Sequence, residues 1–182
     1  MKKLFIYTLV ISYLFSNENF NLLNLMINDD SWKFVKENSG FVIYEKDIDD
    51  NQMLLIKKET NLAKETIFSI IRNVENYSNV LTSQNVISEF LGINQDTIFG
   101  YQKYVNFMPF TRDRQIIFKM FDIDEDKIAW IVINRENQLY NNYKSQDTKT
   151  LNVGLGTWEY IQENNKRYIV HRICMDTELN IP

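Results

Sequence analysis

After Asn79 the chain is a succession of β-type segments joined by short polar turns, and this pattern limits the fold more than any other feature of the sequence. Three of these turns span only residues 94–96, 124–126 and 163–165. Connections this short join antiparallel neighbours, because parallel strands need a long crossover. The segments are rich in β-branched and aromatic residues, and they cover Val86–Ile93, Thr97–Met108, Asp113–Ile123, Lys127–Asn134, Thr150–Gln162 and Lys166–Asp176. The sequence therefore predicts one antiparallel sheet.

The residues before this run add two strands and one substantial helix. We expect strands at Phe41–Lys46 and Met53–Thr60, and a short helix over Trp32–Glu37 that ends at Gly40. Over Lys64–Tyr77 the apolar residues recur at helical spacing, which predicts an amphipathic helix. The fold class is thus α+β, with a curved antiparallel sheet and a long helix after the second strand. One helix covers such a sheet incompletely, and the cavity that remains would suit a small apolar ligand.

Composition excludes several classes of function. The net charge of −4 argues against a nucleic-acid-binding protein, which would carry a basic excess. The single cysteine, Cys174, and the single histidine, His171, exclude an internal disulfide and any metal site built from several histidines. The five glycines fit neither a dinucleotide-binding nor a P-loop pattern. We therefore expect neither a cofactor nor a metal.

The N-terminus has the plan of a signal peptide. Two lysines precede an apolar stretch over residues 4–15, and Ser16 is a small residue at its end. The stretch is shorter than the roughly 20 apolar residues that cross a bilayer. We expect residues 1–16 to be removed on export to the periplasm or the exterior, and residues 20–182 to form the domain. The alternative is an uncleaved anchor that leaves the protein associated with a membrane.

Several short motifs occur in an order that resembles the START (StAR-related lipid transfer) domain family. The strongest is Tyr101–Tyr104 followed by Met108–Asp113. This stretch looks like the family's pair of strands joined by a turn with a proline, here Pro109, and an Arg-Asp pair, here Arg112-Asp113. Weaker matches are the run from Gly40 to Tyr44, the segment Val74–Tyr77, Trp130, and Gly156-Thr157-Trp158. The similarity spans about residues 30–182.

The resemblance implies a helix-grip fold, in which a curved antiparallel sheet is wrapped on a long C-terminal helix and the two enclose a cavity for one lipid. Members bind and carry lipids without catalysis, so we expect binding, and transfer, of a lipid or other hydrophobic molecule, with transient membrane contact. The chain ends at Pro182, where that helix would begin, so we expect a C-terminally incomplete domain: either the sequence is a fragment or this lid helix is missing. Steroid-carrying members bury an acid–base pair in the cavity. Spacing from Arg112 places Phe99 and Phe118 at those positions, which implies a more apolar cavity.

Seven residues are candidates for the ligand site. Five are apolar or aromatic strand residues that would line the cavity or pack in the core, namely Phe99, Tyr101, Phe118, Met120 and Trp130. The sixth, His171, alternates with Ile169, Ile173 and Met175, and Arg172 marks the other face of that strand as the one in solvent. The seventh is Arg112, either a headgroup contact or a structural ion-pair node.

Three roles stay open for His171: a satisfied core histidine, an anchor for an oxygen of the ligand, or a catalytic base. No nucleophile has a fixed spacing to it, so we expect a carrier rather than an enzyme. The alternative function on the same fold is a polyketide cyclase or aromatase. A protein-interaction domain with a filled core is a further alternative, and the sequence leaves the oligomeric state open.

Overall fold

The computed structural model describes residues 18–80, 85–105, 112–134, 137–143 and 146–176, which form one sheet and several helices. The strands are β1 Lys33–Asn38, β2 Phe41–Ile48, β3 Asn51–Glu59, β4 Val86–Asn94, β5 Thr97–Tyr104, β6 Asp113–Asp124, β7 Lys127–Val132, β8 Thr148–Thr150, β9 Gly154–Glu163 and β10 Lys166–Met175. The helices are α1 over 18–28, α2 Lys64–Arg72 and α3 Tyr77–Val80, with 3-10 turns at Val74–Asn76 and Gln138–Tyr143. The predicted signal segment 1–16, residues 106–111 and the C-terminal residues 177–182 lie outside the described residues.

The sheet is open, with β1 and β4 at its edges. Its strand order is β1-β2-β3-β10-β9-β7-β6-β5-β4, and β8 pairs with β6. All of these pairs are antiparallel except β6 with β8. Register shifts within β1, β4 and β6 mark bulges, which bend strands. The predicted α+β fold with one predominantly antiparallel sheet is confirmed.

The prediction of a helix over Trp32–Glu37 is wrong, because this segment forms the edge strand β1. It pairs with β2 through a tight turn in which Ser39 has φ 51° and Gly40 has φ 77°. Two consecutive residues with positive φ are typical of a two-residue hairpin. A glycine in this conformation also ends many helices. The residues 38–40 therefore fit both structures, and pairing with β2 decides between them.

The predicted helix over Lys64–Tyr77 is interrupted. Helix α2 ends at Arg72, and Asn73 has φ −85° and ψ 71°, which lies outside the helical region. A 3-10 turn and the short helix α3 then complete the segment. The apolar side of α2 is buried against one face of the sheet, which we call the inner face. This break turns α3 so that both helices border the same pocket.

The opposite face, which we call the outer face, is also covered. Leu22, Leu23 and Met26 of α1 are buried there in a cluster with apolar residues of β3, β7, β9 and β10. The side-chain amide of Asn19 holds α1 in place by donating to the carbonyl oxygens of Val132 at 3.0 Å and Asn152 at 2.9 Å. The expectation that one helix covers the sheet is therefore wrong. Among the described residues, no helix is long and apolar enough to cross a bilayer.

Two charged side chains that sequence reasoning would place in water lie at the outer face, where Lys46 is buried and Arg172 is largely covered. Arg172 forms an ion pair with Glu159, which is only 6% exposed, so the prediction that Arg172 marks a solvated face is wrong. Lys46 is 2% exposed, and its ammonium donates to the carbonyl oxygen of Asp29 at 2.7 Å, just beyond the end of α1. Burial lowers the pKa of Lys46. Both groups can lie away from water because each has a charged or carbonyl partner.

Candidate functional site

A cavity of about 260 Å³ lies between the inner face of the sheet and the two helices α2 and α3. Thirteen residues from these helices and five strands border it: Ile70, Ile71, Tyr77, Val80, Gln102, Tyr104, Phe118, Met120, Trp130, Trp158, His171, Ile173 and Met175. None of these described residues is Lys, Arg, Asp or Glu. The surface that a ligand would meet is thus mainly apolar, with a few uncharged polar groups.

Strand pairing places an aromatic stack on one wall of the cavity. Trp158 of β9 is directly opposite His171 of β10, and their rings stack with centroids 3.7 Å apart and an angle of 9° between the planes. Ile173 and Met175 follow on the same face because side chains alternate along a strand. The predicted inward orientation of His171 therefore agrees with its place in the structure.

Two glycines leave room for the large rings on the neighbouring wall. Phe118 and Trp130 meet edge to face with centroids 6.4 Å apart. A Cβ atom on Gly100 would lie 2.5 Å from Cζ of Phe118, and one on Gly156 would lie 2.7 Å from Nε1 of Trp130. Both distances are shorter than real Cβ contacts allow. The absent side chains therefore let these rings lie directly on the backbone of β5 and β9.

The polar groups of the cavity largely satisfy one another or the backbone. The hydroxyl of Tyr104 donates to Oε1 of Gln102 at 2.8 Å, and the hydroxyl of Tyr77 donates to the carbonyl oxygen of Ile71. Burial raises the pKa of Tyr104 to about 12. Burial, together with the nearby Tyr104, also raises the pKa of Tyr77. Both phenols are therefore protonated at neutral pH and act as hydrogen-bonding groups.

His171 is neutral and its tautomer is fixed. Its Nδ1 lies 2.9 Å from the carbonyl oxygen of Thr157. A carbonyl oxygen can only accept, so Nδ1 carries the hydrogen and Nε2 keeps its lone pair. Burial lowers the pKa of His171 to about 4, and the hydrogen bond to Thr157 only partly opposes this effect. At neutral pH the side chain thus presents an acceptor at Nε2.

The structure brings four of the seven predicted site residues to the cavity, namely Phe118, Met120, Trp130 and His171. Phe99 and Tyr101 do not reach it. On β5 the inner face carries Ile98 and Gly100, so alternation turns Phe99 and Tyr101 to the outer face. Phe99 was expected at a cavity position that an acid or a base occupies in steroid-carrying members. This expectation is wrong, because its side chain faces away from the cavity.

Tyr101 and Arg112, the other two predicted site residues outside the cavity, lie in different surroundings. Tyr101 stacks on Tyr143 with centroids 4.0 Å apart, and its hydroxyl donates to Oε1 of Gln115 at 3.1 Å. Arg112 is exposed just before β6 and does not border the cavity. The residue that follows it, Asp113, forms an ion pair with Lys103 at 3.0 Å. Tyr101 therefore packs at the outer face, and Arg112 lies on the surface.

Sequence reasoning missed Gln102, Tyr104 and Tyr77 as polar groups of the cavity. Gln102 and Tyr104 share the face of Gly100, so a correct choice of face for β5 would have found them. Tyr77 was expected on the apolar side of the predicted helix, and it packs against the apolar cluster of the inner face. The sequence does not indicate which group its hydroxyl would bond. Within the described part of the chain, no group of three or more His, Cys, Asp or Glu side chains could hold a metal ion.

Comparison with solved structures identifies similar folds. A fragment of a STAR-related lipid transfer protein from Xanthomonas axonopodis matches with a TM-score of 0.68 and 12% identity, over 84% of this chain and 86% of that chain. Human STARD10 matches with a TM-score of 0.67 and 14% identity, over 90% of this chain and 68% of its own. Human StAR-related lipid transfer protein 5 gives 0.63 and 12%, over 95% and 86%.

No protein-family model matches the sequence, and no curated protein matches it either. Sequence identities of 12 to 14% show the fold alone. The three matches each cover at least 84% of this chain with TM-scores of 0.63 to 0.68. The chain has the START-like helix-grip fold of the StAR-related lipid transfer domains.

Proposed function

We propose that this protein binds a lipid or other hydrophobic small molecule in the inner-face cavity and carries it without covalent chemistry. The single observation that carries the proposal is the cavity itself, which has about 260 Å³ of space and whose described lining residues are uncharged and mainly aliphatic or aromatic. The START-like fold supports binding of a hydrophobic ligand. The free energy of filling a cavity with such walls is more favourable for hydrocarbon than for water.

Burial of hydrocarbon would supply the affinity. Each methylene removed from water contributes about 0.8 kcal/mol, so six buried methylenes contribute roughly 5 kcal/mol. Part of this gain is lost to the translational and conformational entropy of the bound molecule. The cavity lies just below the roughly 300–1,000 Å³ typical of sites for drug-sized ligands, which favours a small or single-chain molecule.

A transfer assay tests the proposal with a matched pair of variants. Donor vesicles of phosphatidylcholine carry tritiated 1-hexadecanol, and its appearance in acceptor vesicles is followed with and without protein. Ile173→Trp places a larger side chain in the cavity, whereas Ile123→Trp makes the same change at an exposed position of β6. Wild type and Ile123→Trp should accelerate transfer, and Ile173→Trp should not. Equal rates for both variants, or no acceleration at all, would contradict the proposal.

A cyclase- or aromatase-type enzyme on the same scaffold is the second candidate, and His171 is the observation that favours it. A neutral imidazole with a free lone pair at Nε2 has the form of a general base. No carboxylate or ammonium group borders the cavity among the described residues, so an acid partner would have to come from the substrate or from water. Turnover of an aryl poly-β-ketone that is lost in His171→Phe would support the enzyme. Retention of bound ligand without turnover supports the carrier.

We also propose that the protein is exported, and that transfer involves brief contact with a membrane. The plan of residues 1–16 supports export. N-terminal sequencing of the mature protein tests it, since a mature chain that still begins at Met1 would contradict cleavage. Co-sedimentation with vesicles tests the contact, which should be weak and short-lived.

A further inference from the structure

We propose that the preferred ligand is an uncharged amphiphile with a hydroxyl or N–H donor, and that Nε2 of His171 accepts its hydrogen bond. This inference rests on the proposed ligand-binding function and specifies the head of the ligand. It makes His171 the residue that selects among hydrophobic molecules of similar size.

Most polar groups at the cavity already use their hydrogen-bonding atoms on protein partners. Oε1 of Gln102 already accepts from Tyr104, and the hydroxyl hydrogen of Tyr77 is used on a backbone carbonyl. Nδ1–H of His171 is used on the carbonyl oxygen of Thr157. Within the described part of the chain, no side chain or backbone group bonds Nε2. The cavity therefore offers a neutral nitrogen acceptor that lacks a donor.

Two contacts fix the orientation of the His171 imidazole. Nδ1 faces the backbone of β9, and the ring plane is held against Trp158 at 3.7 Å. These two contacts fix the ring from one edge and one face. Nε2 is on the other edge of the ring, and it is the imidazole nitrogen left for a ligand in the cavity that His171 borders. A donor on the ligand would thus meet an acceptor that is already oriented, so little entropy is lost on bonding.

The described residues of the cavity wall carry no charge. None of its thirteen described residues could neutralise a carboxylate or a phosphate. Burying an unpaired anion is strongly unfavourable, and an ionised carboxylate also lacks the hydrogen that Nε2 requires. A neutral hydroxyl meets neither obstacle. The size and the chemistry of the site therefore favour alcohols and similar neutral amphiphiles over fatty-acid anions.

Three probes of equal chain length separate these ideas: 1-dodecanol, 1-methoxydodecane and dodecanoate, each titrated by calorimetry at pH 7.5. The alcohol can donate, the ether can only accept, and the acid is ionised. We expect the alcohol to bind roughly threefold to tenfold more tightly than the ether, which is the range for one hydrogen bond. We expect dodecanoate to bind at least about tenfold more weakly than the alcohol.

Variants assign the preference to His171. His171→Phe keeps an aromatic ring against Trp158 but has no acceptor, so it should bind the alcohol and the ether equally. His171→Gln carries an amide oxygen close to the position of Nε2 and should restore part of the preference. Phe118→Leu changes the apolar wall and serves as the control, because it should weaken all three probes by a similar factor.

Each outcome decides one question. If none of the probes binds, the proposed ligand-binding function fails. If the alcohol and the ether bind equally to the wild type, the function stands and the donor preference is overturned. A preference that survives in His171→Phe overturns the role of His171. Should that variant not fold, ¹⁵N NMR of the wild type decides, since the chain has one histidine: its Nε2 signal should move with dodecanol and not with the ether.

Discussion

Lowering the pH from 7 to 5 should destabilise the protein through His171. The pKa of His171 in the folded protein is about 4, against an ordinary value of 6.5, because burial disfavours the imidazolium. The unfolded chain therefore takes up a proton below about pH 6.5, while the folded protein does so only near pH 4. Stability is fully present above the higher value and is lost as the pH falls through this window.

The size of the effect follows from the width of the window. Stability changes by about 1.4 kcal/mol for each pH unit over which the two states differ by one proton. The full window corresponds to about 3 kcal/mol, and roughly 2 kcal/mol should be lost by pH 5. The chain has no other histidine, so no second imidazole contributes between pH 5 and 7.

Urea unfolding at pH 5, 6 and 7 measures the effect, with His171→Phe as the reference. Carboxylates elsewhere contribute equally to both proteins, so the difference between their pH profiles isolates the imidazole. The wild type should lose about 2 kcal/mol more than the variant between pH 7 and 5. NMR titration of the imidazole gives its pKa directly. Parallel profiles, or a histidine that titrates near pH 6.5 in the folded protein, would refute the reasoning.

Three further predictions concern stability, and urea denaturation measures each. Gly156→Ala should cost about 1–3 kcal/mol, because the added Cβ would overlap the carbonyl oxygen of Arg172; an unchanged midpoint would contradict this close packing. Tyr140→Phe should cost about 1–3 kcal/mol, because the N–H of Ile117 loses an acceptor at 2.6 Å; a neutral effect would mean that another acceptor replaces it. Lys46→Met should cost about 1–2 kcal/mol and speed hydrogen exchange in α1, whose end it holds; unchanged exchange would argue against that role.

The sheet could be predicted from the sequence because its signals are local. Short polar turns separate the strands, and at one of them Asn164 and Asn165 take positive φ in a two-residue hairpin. The helical spacing over Lys64–Tyr77 likewise identified α2, and only its end near Asn73 was missed. Such features depend on the residues themselves and on their immediate neighbours.

The choice of strand face could not be predicted with the same success, because α1 and α2 bury both faces of the sheet. A strand with one wet face alternates between apolar and polar residues, whereas a strand covered on both sides does not. On β5, the local sequence therefore does not distinguish the face of Phe99 and Tyr101 from that of Ile98 and Gln102. On β10, the ion pair with Glu159 hides Arg172, whose charge had suggested water. These choices depend on tertiary partners that the local sequence does not specify.

Mass spectrometry of organic extracts tests the central claim most directly, using protein purified without detergent. We expect about one small neutral amphiphile per chain in the wild type and in Ile123→Trp, and far less in Ile173→Trp, where the larger side chain occupies the cavity. Extracts that contain no such molecule, or that are identical for the two variants, would contradict it.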